Sequence, residues 1–198
     1  MTLARSRGVV VTGVEGLVVE IEAYLAQGLP GMTIVGLGDT AVGESRDRVR
    51  AAIQNSDLPW PSERRITIGL SPASIHKKGA SLDLAIALAI LAAQGAVVED
   101  PSIVAIGELT LDGRVSPVRG LLAATIAARK RGCQTLIVPH TQVAEAELVP
   151  DVNVVGVSCL RDALAFLHGE PFEIDDVSVV VKTADPVPDL RDVRGQLV

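Results

Sequence analysis

Aromatic side chains are nearly absent: 198 residues hold one Trp, one Tyr and two Phe, 2% of the chain. Any core must therefore be assembled from Val, Leu, Ile and Ala, within an apolar content of 48%. Base stacking along a nucleic acid strand needs a series of exposed rings, and Trp60 alone does not supply one. Cysteine is scarce as well. Cys133 and Cys159 are too few for a disulfide framework and read as reduced core residues of a cytoplasmic protein. The three histidines, His76, His140 and His168, are scattered, none with a second histidine or a cysteine two to five residues away, so no metal site is expected. No apolar run approaches the roughly 20 residues of a membrane span. The opening MTLARSRG lacks the apolar stretch of a secretory signal. A phosphate-binding Gly-x4-Gly-Lys-Ser/Thr loop is missing too. Gly36-Leu-Gly38 with Asp39 is part of a dinucleotide fingerprint, but its third glycine position falls on Val42. No cofactor is expected on this chain.

Charge is present but unevenly placed. The net value is −6, and residues 169–198 carry −4 of it through seven acids against three bases. Such a body is not drawn to nucleic acid by overall charge, so contact with DNA requires a local basic patch. Candidates are Arg64-Arg65, His76-Lys77-Lys78, Arg114 with Arg119, and Arg129-Lys130-Arg131, the last also explained as cations at a helix C-terminus.

The first third reads as strands. Arg7–Thr12 and Leu17–Leu25, separated by Gly13-Val-Glu-Gly16, suggest a hairpin, with Val19, Ile21 and Ala23 alternating against Glu20, Glu22 and Tyr24. A strand at Met32–Leu37 precedes a helix capped by Asp39 and running to about Ser56. A strand at Arg65–Leu70 is followed by Leu82–Ala93, apolar nearly all round and so a buried helix. Beyond it lie a strand at Ile103–Ile106, a hairpin turning on Asp112-Gly113 with a type I′ turn, and a helix over Leu121–Arg131. A strand at Thr135–Val138, a short helix from about Gln142, a strand at Val152–Val157 and a helix at Leu160–Leu167 complete the body. Residues 1–168 form one domain and 169–198 an acidic, proline-dotted linker. Mixed strand and helix order with two hairpins predicts an α/β sandwich in preference to a doubly wound sheet.

One serine invites a chemical reading. Ser81, in Lys77-Lys78-Gly79-Ala80-Ser81 before the buried helix, stands where a developing oxyanion would meet free N–H groups. A serine there is also an ordinary N-cap, with Asp83 as a first-turn acid favoured by the helix dipole. A nucleophile needs a base, and the sequence marks none beside it.

Longer strings carry a family resemblance. Gly28-Leu-Pro-Gly-Met-Thr-Ile-Val-Gly-Leu-Gly-Asp-Thr-Ala-Val42, followed by Glu44-Ser-Arg-Asp-Arg-Val-Arg-Ala-Ala-Ile53, closely resembles the opening of the ComM/YifB family of Mg-chelatase-like AAA+ proteins. Gly107-Glu-Leu-Thr-Leu-Asp-Gly-Arg-Val-Ser-Pro-Val-Arg-Gly120 and Leu136-Ile-Val-Pro139 continue the match, which covers residues 3–168. The closing Asp189-Leu-Arg-Asp-Val-Arg-Gly-Gln196 resembles the lead-in to that family's ATPase module, so a chain cut before the Walker A loop is expected.

The resemblance implies a ribosomal protein S5 domain 2-like fold, a two-layer α/β sandwich shared with the proteolytic domain of Lon. Lon-type proteases use a serine–lysine dyad. Ser81 matches the serine, but the lysine position falls on Ala124, and Asp83 replaces a glycine near the oxyanion hole. The dyad is broken, and no enzyme activity is expected of this chain. What the resemblance implies instead is an accessory domain of a hexameric motor acting in DNA branch migration, recombination and competence. Its partners would be its own AAA+ module, which holds ATP and Mg, neighbouring subunits, and DNA; no membrane is involved. Arg46, Arg48, Arg50, Lys77 and Lys78 are the candidates for a ring-facing or DNA-facing surface. Two rivals stand beside this reading: a residual hydrolase with Ser81 served by Lys77 or Lys78, and a protein-interaction module.

Overall fold

A computed structural model describes residues 2–174. The expected linker from residue 175 onward lies outside the described residues. Strands β1 (Thr2–Thr12) and β2 (Glu15–Ala26) pair antiparallel along their whole length, Thr2 opposite Leu25 and Thr12 opposite Glu15. The hairpin is longer than its apolar residues suggest. Charge holds the added part: Arg5 sits opposite Glu22 and makes a 2.8 Å ion pair with it. The predicted four-residue loop shrinks to Gly13 and Val14.

Strand β3 (Gly31–Val35), helix α1 (Thr40–Asn55) and strand β4 (Arg65–Ser71) follow, and the four strands form one mixed sheet in the order β1-β2-β4-β3. Strand β3 stops two residues short of the expected Leu37 because the backbone turns left-handed there, with φ 116° at Gly36 and 53° at Leu37. Only glycine fits at the first of these. A Cβ on Gly36 would come within 2.3 Å of the Leu70 carbonyl oxygen. Helix α1 begins as its sequence asks: Asp39 Oδ1 accepts from Val42 N at 2.9 Å.

Helix α2 (Asp83–Ala93) is buried at every position except Ala92, as the apolar run from Leu84 onward requires. Together α1 and α2 cover one face of the large sheet. Val19, Ile21, Ile66, Ile68, Val49, Ile53, Ile86 and Ile90 belong to this first core.

A second core lies on the other side of β1. Strands β5 (Ile103–Ala105), β8 (Thr135–Pro139) and β9 (Asn153–Val157) make a small parallel sheet in the order β5-β8-β9. Between them come the short strands β6 (Glu108–Leu109) and β7 (Val115–Ser116) and helix α3 (Leu121–Lys130). Val9, Val104, Ile106, Leu121, Leu136 and Val138 are buried together. The Thr110–Arg114 loop is wider than the expected type I′ turn, since Gly113 has positive φ but Asp112 does not. Helices α4 (Val143–Ala146) and α5 (Leu160–His168) finish the domain. The Asp162 carboxylate accepts from Cys159 N at 3.0 Å and so fixes the start of α5. The described residues form a mixed α/β domain with three sheets, and no helix among them is long and apolar enough to cross a membrane.

Candidate functional site

Helix α2 brings the serine to the wall between the two cores. The Ser81 hydroxyl does not cap that helix. The N-cap position is Leu82, which makes no side-chain cap, and Ser81 Oγ instead donates to the Val9 carbonyl of β1 at 2.9 Å. One potential oxyanion donor is also engaged, because Leu84 N donates to the Gly107 carbonyl at 3.1 Å. Ala124 lies buried on α3, which packs so closely on β2 that a methyl group at Gly16 would come within 3.2 Å of the Ala124 Cα. A methyl side chain takes no proton from serine.

Asp83 is more than a helix-dipole acid. It is fully buried, and its carboxylate accepts from Arg48 Nε at 2.7 Å, from the Ser45 hydroxyl and from Leu109 N at 3.3 Å. Burial pushes the Asp83 carboxyl above the usual range, while the Arg48 and Ser45 bonds pull it back. The negative charge expected beside the would-be oxyanion hole is thus matched by a guanidinium. Arg48 has little left to give an outside ligand. It also donates to the Ala41 carbonyl at 2.9 Å and lies 3.6 Å from Glu44. Its placement on a ring-facing or DNA-facing surface is therefore corrected: the residue ties α1 to α2.

Lys77 requires the same correction. Its side chain is fully buried, and Nζ donates to the carbonyls of Gly36, at 2.8 Å, and Pro72. The ammonium points neither to solvent nor into a bond with Ser81. Burial holds it below the ordinary lysine range. Around it two loops are zipped: Lys77 N donates to Leu37 O at 2.9 Å, Asp39 N to Lys77 O at 3.0 Å, and Gly79 N to Asp39 Oδ2 at 3.2 Å. Asp39 thus caps α1 with one oxygen and holds the second loop with the other. Next to this zipper Val35, Leu37 and Ile75 are exposed.

The remaining surface candidates are separated by their partners. Arg46 is exposed and paired with Asp47 at 3.2 Å. Lys78 is exposed. Arg50 is exposed and lies over the Trp60 ring, 5.9 Å from its centroid. No cluster of three metal-ligating side chains occurs among the described residues. Sequence reasoning missed the Arg48–Asp83 pair, 35 residues apart, although a lone acid in an otherwise apolar helix was the signal for it.

The family model for subunit ChlI of Mg-chelatase matches residues 21–142 of the chain. An uncharacterised protein of Mycobacterium tuberculosis is 42% identical over 99% of this chain and 39% of its own length. The competence protein ComM of Haemophilus influenzae is 37% identical over 93% of this chain and 37% of its own length. A Lon protease of Geobacter metallireducens is 29% identical over 80% of this chain and 20% of its own length. The chain spans about two-fifths of the length of the first two.

Proposed function

Since the chain belongs to the ComM/YifB family of Mg-chelatase-like proteins, we propose that it is a non-catalytic accessory domain of an AAA+ ATPase motor working on DNA. Its task in this reading is to help assemble a ring of subunits and to contact the DNA; ATP and Mg belong to the ATPase module. The finer fold assigned is the ribosomal protein S5 domain 2-like sandwich. The Lon relative supports it, as does the mixed sheet covered on one face by α1 and α2.

The observation that carries the non-catalytic reading is the state of Ser81. Its hydroxyl is bonded to Val9 O and Lys77 is bonded elsewhere; the resemblance to Lon adds that the lysine position falls on Ala124. An active-site-directed fluorophosphonate should leave Ser81 unlabelled; stoichiometric labelling that a Ser81→Ala substitution abolishes would establish the hydrolase rival. The exposed Val35, Leu37 and Ile75 beside the zipped loops support a face turned toward a neighbouring copy. The motor role is tested with the gene's full product. Removing residues 2–168 should abolish its ring assembly and its ATP-driven migration of branched DNA. A ring of unchanged size and rate without the domain overturns the proposal.

A further inference from the structure

We propose that Arg50, which lies over the Trp60 ring, and Arg64, which lines a cleft with Trp60, form with the adjacent Arg65 a contact site for the phosphate backbone of a nucleic acid strand. The inference rests on the DNA contact proposed above and gives it a place. Most arginines of the described residues are already committed to a carboxylate: Arg5, Arg46, Arg48 and Arg129, for example, lie within 3.2 Å of one. Arg50, Arg64 and Arg65 are all exposed, and among the described residues no carboxylate lies within 4.0 Å of them. In a chain of net charge −6 with 24 acids, two consecutive exposed arginines and a third lying over the nearby Trp60, none with such a partner, stand out.

The groups are also held. Trp60 packs against the first core, and Arg50 from α1 lies on its ring, which restrains the guanidinium plane. Trp60 and Arg64 line one open cleft of about 440 Å³. The turn between them is fixed by Ser62 N donating to Trp60 O at 2.8 Å and Arg64 N to Pro61 O at 3.1 Å. Arg65 opens β4, in register with Ala26 on one side and Gly31 on the other. Glu63 is the acid within this turn, leaving the group with an excess of two positive charges. Planar forks on a rigid frame suit phosphate oxygens better than flexible ammonium groups do. Because Arg50 lies over the Trp60 ring, contact is expected through phosphates and without base preference. Arg119, Lys130 and Arg131 also have no carboxylate within 4.0 Å among the described residues, but Arg119 stands apart from Trp60 in the sequence, and Lys130 and Arg131 close α3, where the helix dipole accounts for them.

Trp60 is the chain's single tryptophan, so its emission reports on this site alone. The experiment titrates the 198-residue chain with a short labelled oligonucleotide, single-stranded and duplex, from about 50 to 200 mM salt. Labelled-strand anisotropy and Trp60 emission are read together. Binding should move the Trp60 emission. Replacing all three residues (Arg50→Ala, Arg64→Ala, Arg65→Ala) should weaken binding at least about tenfold and flatten the salt dependence by about one unit for each phosphate no longer held. Lys130→Ala with Arg131→Ala should change neither. Arg64→Gln with Arg65→Gln, which leaves the stack on Trp60 intact, guards against a folding defect and should act in the same direction. Unchanged affinity in the triple variant, with Trp60 emission unmoved, overturns the site while leaving DNA contact to another face. Absence of binding at the lowest salt removes both the site and the DNA contact. Tighter binding of polyglutamate than of either oligonucleotide, with a change in Trp60, overturns the proposal in favour of an acidic protein partner.

Discussion

Two buried charges set the residue scale, and they are handled in opposite ways. Asp83 is matched by Arg48, Ser45 and a backbone N–H. Asp83→Ala leaves that guanidinium without its anion in a largely enclosed place, and about 3 kcal/mol of stability should be lost; urea unfolding measures it. Lys77 has only neutral carbonyls for partners, and burial lowers its proton affinity in the folded state. In the alkaline range up to about pH 10.4, the unfolded value, the unfolded chain then holds more protons than the folded one, and stability rises with pH. The urea midpoint of the wild type should climb through that range relative to Lys77→Met. Parallel midpoints for the two proteins would sink the assignment. The lone acid of an apolar helix signalled that Asp83 needed a partner, but not that Arg48, 35 residues away, supplies it, and the enclosure of Lys77 had no signal at all. A lysine beside Lys78 and His76 reads as solvated, and nothing local shows that the chain folds two carbonyls over it. Asp39 was legible because a cap is settled within three residues.

At the scale of elements, local pattern carried most of what could be read. The alternation in β2 and the unbroken apolar run of α2 are recovered because periodicity decides which face is buried. Errors arose where partners are distant or backbone geometry is unusual. The first half of β1 is held by cross-strand ion pairs, and β3 ends at a left-handed bend. That bend supplies a sharp test. Gly36→Ala combines an unfavourable φ with a clash on Leu70 O, and about 2 kcal/mol should be lost. A thermal melt of the variant matching the wild type would mean that the loop relaxes freely. Of the candidate site, the sequence draws attention to Ser81, but the hydroxyl's bond to Val9 spans 72 residues and has no signature in the chain around it.

For the whole molecule, exposed apolar residues and unpaired cations mark different faces for different partners. Leu37 adopts φ 53° and is 55% exposed; an aspartate tolerates such a backbone angle. If this rim meets another copy, Leu37→Asp should reduce self-association in sedimentation velocity while leaving the unfolding free energy within about 0.5 kcal/mol of the wild type. Equal self-association in both proteins would clear Leu37 of that role. The Arg50–Trp60 site should be indifferent to the change.

Val9 and Val10 are neighbours on β1, yet one is buried in each core. The strand is a party wall. Ser81 is bonded to it from one side through the Val9 carbonyl, and Ser6 reaches from it to the Ala85 carbonyl of α2. Neither half can melt and leave the other with an intact lining, so heat should be absorbed in one peak whose calorimetric and van't Hoff enthalpies agree. Damage done on the side of the small parallel sheet would then be felt as lost cooperativity on the far side of the large one.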